Sequence, residues 1–89
     1  MITVDIQNLS TQFAQQARKF VAAPSLMKGL DLDDVSMKLM QAVTGMLKDP
    51  NLMSDLHRFR QACRDRDMDQ LAGLLEQIED GLRSHQIDV

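Results

Sequence analysis

The chain has no tryptophan, no tyrosine and only three phenylalanines among its 89 residues. Sheets draw on aromatic and β-branched side chains, so this scarcity argues against a β architecture. One cysteine, Cys63, is present. No disulfide can therefore form within the chain, and a reducing compartment is expected. No apolar run approaches the roughly 20 residues that a membrane-spanning helix needs. The start, MITVDIQN, lacks the basic region and apolar stretch of a secretory signal. A cytoplasmic location is expected on these grounds. The net charge of −3 offers no electrostatic attraction to nucleic acid or to an anionic membrane.

What is present favours helix. Leucine and methionine dominate the apolar residues, and both are good helix formers. Four of the seven methionines lie in MKLMQAVTGMLKDPNLM, residues 37–53. Methionine fills irregular gaps in a core, or makes a surface able to repack around a partner.

Periodicity and punctuation predict one all-α domain over residues 1–89, with helices at roughly 6–23, 33–48, 50–64 and 68–85. In the first, Ile6, Leu9, Phe13, Ala17 and Phe20 share a face, and Pro24 stops the helix. PSLMKGLDLDD reads as a connector broken at Gly29. Asp31, Asp33 and Asp34 there suit the positive end of the following helix. The third helix is opened by Asp49 and Pro50 and carries Leu52, Leu56, Phe59 and Cys63. The fourth shows Met68, Leu71, Leu75, Ile78 and Leu82 at alternating steps of three and four. Glu79 and Arg83 form an i,i+4 pair, and the tail QIDV is expected to fray. Short connectors favour antiparallel neighbours, hence a small antiparallel helical bundle of about four helices. A three-helix core with a separable first helix is the alternative.

The second helix carries more apolar surface than one face can use. Val35, Leu39, Ala42 and Met46 make one stripe, and Met37, Met40, Val43 and Leu47 a second. Gly45 sits inside it, where glycine is unfavourable, and marks either a close approach or a bend.

Near the start of that helix, GLDLDDVSMKL resembles an acyl carrier protein over about a dozen residues. The resemblance implies a phosphopantetheine attached at Ser36. It departs from the carrier pattern at the flanking residues, where Val35 and Met37 replace the expected aspartate and leucine.

No catalytic constellation is visible. His57 and His85 fall on different helices, and no metal-ligand spacing or glycine-rich phosphate loop occurs. Cys63 lies on an apolar stripe and reads as a small hydrophobe. The expectation is therefore a non-enzyme without cofactor or metal. The basic run HRFRQACRDR places His57, Arg60 and Arg64 along one flank of the third helix. It reads as a solvated face balanced by Asp55, Asp65 and Asp67, or as a docking strip for acidic groups. The acids Asp69, Glu76, Glu79 and Asp80 of the fourth helix could pair with it within the chain or between copies.

The expected function is an interaction module: an adaptor, small chaperone or regulatory subunit that binds a partner helix or forms a homodimer. Met37, Met40, Val43, Leu47, Arg60 and Arg64 are the expected partner-binding residues. A structural subunit of a larger assembly is the alternative.

Overall fold

A computed structural model describes residues 6–89; residues 1–5, part of the stretch read above for a secretory signal, lie outside them. Four helices follow in order: α1 Ile6–Ala22, α2 Leu26–Ala42 continued by a single π turn Val43–Leu47, α3 Pro50–Asp65 and α4 Met68–Ser84. The described residues contain no strand, and the helices pack against one another as an all-α bundle. α1 with α2, and α3 with α4, form two close hairpins. The hairpins meet along two looser seams, α1/α4 and α2/α3. Phe13 of α1 and Phe59 of α3 meet edge-on across the centre, with ring centroids 5.1 Å apart. α1 is thus an integral part of the core, and its predicted stripe supplies Phe13, Ala17 and Phe20 as buried residues.

The start of α2 departs from the expectation. The stretch read as a connector is helical from Leu26, because Ser25 caps it: its Oγ accepts the Lys28 N–H at 3.2 Å. Leu32, inside the supposed connector, is fully buried and extends the Val35–Leu39 face backwards by one turn. Asp31, Asp33 and Asp34 accordingly lie within the helix and cap nothing. Gly29 does not break it. A Cβ there would lie 3.2 Å from the Phe20 ring, so the missing side chain spares α2 a tight contact with α1.

At its other end α2 widens into the π turn, closed by the Lys48 N–H donating to the Val43 carbonyl at 2.9 Å. A wider turn rotates each residue through a smaller angle, which sends Met46 outward and brings Leu47 towards the core. The buried arc of α2 is Leu32, Val35, Ser36, Leu39, Ala42 and Val43. Val43 therefore belongs to the core, which corrects its assignment to an outer stripe.

The chain after α4 does not fray among the described residues. Gln86 takes a left-handed conformation, φ 64°. The Ile87 N–H returns to the Leu82 carbonyl at 3.1 Å and the Gln86 N–H to Arg83 at 2.9 Å. This closing turn folds Ile87 into the core. Arg66, φ 54°, ends α3 the same way, with Asp67 bonded back to Ala62.

Candidate functional site

The two seams between the hairpins are finished differently. Along α1/α4, Arg18 Nη2 meets Glu79 Oε2 at 2.5 Å, and the same oxygen accepts from Arg83 Nη2 at 3.2 Å. Glu79 is buried, so two guanidinium groups on one carboxylate supply the compensation that a buried charge requires. Arg83 also holds Asp80 at 3.1 Å and the Val89 carbonyl at 2.9 Å. Gln7 joins the start of α1 to the tail, donating to the Asp88 carbonyl at 2.6 Å and accepting its N–H at 2.8 Å. Side chains and tail together cover this seam. The predicted pairing of α4 acids with α3 is absent among the described residues, and Glu79 reaches across to α1 instead.

Among the described residues one ion pair crosses the α2/α3 seam. Asp33 Oδ1 accepts from Arg60 Nε at 3.0 Å, and Arg60 Nη1 lies 3.9 Å from Met40 Sδ. On either side of that bridge the surface is hollow. Towards the π turn, Met40, Thr44, Met53 and His57 line a groove of about 610 Å³. It runs through Met40, Thr44 and Met53 into a second hollow of about 430 Å³ that adds Met37 and Gly45. Towards the opposite end, Phe20, Leu26, Leu30, Cys63 and Arg64 enclose about 280 Å³. Thr44 joins the two walls: its hydroxyl donates to the Met40 carbonyl at 2.8 Å and lies 3.1 Å from Met53 Sδ.

Of the residues singled out from sequence, Met37, Met40, Arg60 and Arg64 share this seam. Val43 is beneath it in the core, and Leu47 packs partly against the core. Arg60 is mostly buried and engaged by Asp33. Met53, Leu26 and Leu30 were missed. Met53 precedes His57, Arg60 and Arg64 at steps of four, three and four, and that spacing was the readable signal. Leu26 and Leu30 were hidden by the connector reading.

Asp33 and Asp49 on the seam are engaged by Arg60 and His85, and the unpaired charge there is basic. Lys48, Arg64 and Arg66 border it and make no ion pair among the described residues. The local balance expected from Asp55, Asp65 and Asp67 does not form as ion pairs. Asp67 caps α4 through the Gln70 N–H instead. Asp49 caps α3 through the Asn51 and Leu52 N–H groups, and its other oxygen lies 2.9 Å from His85 Nε2. The His85 hydrogen bond first, and the Leu52 N–H second, hold the Asp49 carboxyl below its ordinary value.

Two groups with chemical potential are muted. Ser36 is buried, and its hydroxyl donates to the Leu32 carbonyl at 2.6 Å. A carrier-type modification needs that hydroxyl at the surface. Burial, helped by the charge of Asp33, pushes the Cys63 thiol up to about 11, so it stays protonated near neutral pH. Among the described residues no group of three or more His, Cys, Asp and Glu is placed to hold a metal ion. No helix there is long and apolar enough to cross a membrane. Neither a family model, nor a curated protein, nor a solved structure matches the chain.

Proposed function

We propose that this chain is a small cytoplasmic interaction module, an adaptor, small chaperone or regulatory subunit, that receives an amphipathic helix of a partner protein in the α2/α3 seam. The difference between the two seams carries this reading. One is covered by a buried carboxylate network and a docked tail, while the other is left hollow and lined by Met37, Met40 and Met53. Methionine suits partner binding, because its unbranched, polarizable side chain repacks around an incoming surface. The unpaired cations Lys48 at one end and Arg64 and Arg66 at the other favour a ligand helix with carboxylates flanking its apolar face. Burial supplies the affinity and the flanking charges set the direction.

The test is native mass spectrometry of the untagged protein purified from its host, beside the Met37→Gln/Met40→Gln variant prepared identically. The wild type is expected to carry a second protein at fixed stoichiometry. The variant should lose it while keeping its helical circular dichroism and nearly its melting temperature. Retention of the second protein by the variant would sink the seam reading, and so would collapse of the variant's fold. A structural role in a larger assembly is the second reading, favoured by the apolar ridge that α2 turns to solvent.

A further inference from the structure

All the large apolar side chains that stand exposed among the described residues belong to α2 and its π turn. They are Leu26 at 68% exposure, Met27 at 68%, Leu30 at 59%, Met46 at 52% and Met37 at 43%. At helical spacing Leu26, Leu30 and Met37 fall in one line along the outward side of α2. The ridge stretches from residue 26 to 46, about 30 Å at a rise of about 1.5 Å per residue. Monomers seldom leave so many large apolar side chains of one helix in water.

Two charged residues straddle the middle of the ridge, Asp34 on one side and Lys38 on the other. Asp34 and Lys38 are both exposed and pair with each other at 3.0 Å. From this arrangement we infer that the ridge binds a second copy of the chain, α2 against α2, antiparallel about a two-fold axis near the level of Ser36. A two-fold interface uses one patch twice, so the patch must complement itself. Running antiparallel, the two ridges bring opposite charges together on both sides of the axis. Asp34 then comes level with Lys38 of the second copy, and Leu26 with Met46. The two Met37 side chains meet beside the axis. Gly45, which has nothing within 4 Å of its Cβ position, leaves room opposite Met27. Parallel pairing would instead set Asp34 against Asp34 and Lys38 against Lys38, which like-charge repulsion disfavours.

This surface adjoins the seam, sharing Met37 with the hollow beside Met40 and Met53, and Leu26 and Leu30 with its far end; Met40 and Met53 themselves belong to the seam alone. Sedimentation velocity over a wide concentration range tests the pairing. The wild type should sediment as a dimer, and Asp34→Lys and Lys38→Asp should each weaken dimerisation by about tenfold or more. Mixing the two variants should restore a dimer, because each then presents the sign that the other lacks. In a Cys63→Ser background, Leu26→Cys mixed with Met46→Cys should cross-link between chains, while Leu26→Cys alone should not. A wild type that stays monomeric at the highest concentration overturns the proposal, as does a mixture that fails to dimerise. Cross-linking of Leu26→Cys alone overturns the antiparallel arrangement. Met40→Gln/Met53→Gln should leave dimerisation unchanged, so failure here and failure of the partner-helix reading give different patterns.

Discussion

Ser10 and Ser36 are both almost completely buried, yet only one of them is satisfied. The Ser36 hydroxyl donates to the carbonyl one turn back, while the Ser10 hydroxyl has no hydrogen-bond partner among the described residues. An unpaired buried hydroxyl keeps its full desolvation penalty, on the order of 1–3 kcal/mol. Alanine at Ser10 removes the polar atom and leaves only a small void. Ser10→Ala should therefore raise stability by about 1 kcal/mol, read as a higher urea midpoint at unchanged slope. Ser36→Ala should do the opposite by a similar amount. Equal losses from both substitutions would mean that Ser10 does have a partner. Composition says nothing of this difference, because both serines sit at core positions of a helix. Only the surrounding geometry separates them.

At the scale of the element, the clearest lesson is α2. Apolar residues at steps of three and four made α1, α3 and α4 legible to within a residue at each boundary. Asp49 followed by Pro50 announced α3, and the cap is formed as read. The start of α2 was obscured by three features that each argue for a loop: Pro24, Gly29 and a run of aspartates. Ser25 directly after the proline was the stronger cue, being a capping residue at the position where a proline-stopped chain can restart a helix. Val43 was misplaced for a related reason. A bundle helix buries a broad arc, and the arc that contains Leu39 also takes in Ser36 and Val43. The π turn then moves Met46 out of line, which helical periodicity cannot foresee. Half of the candidate site was therefore readable: the excess of methionine on the second helix, but not the seam that collects it. Removing the cap tests the corrected boundary. Ser25→Ala should cost about 1 kcal/mol and speed amide exchange at Lys28 and Gly29, whose protection begins this helix. Unaltered exchange there would return the first turn of α2 to the connector.

On the scale of the whole molecule, the bridged seam and the surfaces proposed for association lie on opposite sides of the bundle. The α1/α4 side is held by Glu79 between Arg18 and Arg83, and by Ile87 folded into the core beneath the Gln7–Asp88 bonds. The α2 side carries the exposed ridge and the hollow seam. Truncating a buried isoleucine typically costs about 2–5 kcal/mol, a large share of the roughly 5–15 kcal/mol available to a small domain. Ile87→Ala should accordingly lower the urea midpoint substantially and loosen the first turns of α1 in hydrogen exchange. Association through α2 should keep its Kd under conditions where the variant is still folded. Met37→Gln/Met40→Gln should show the reverse, with partner binding lost and the urea midpoint nearly retained. If Ile87→Ala instead weakened association as strongly as it weakened folding, the two sides would be coupled. The open seam would then be a consequence of how the bundle packs, and not a surface set apart for a partner.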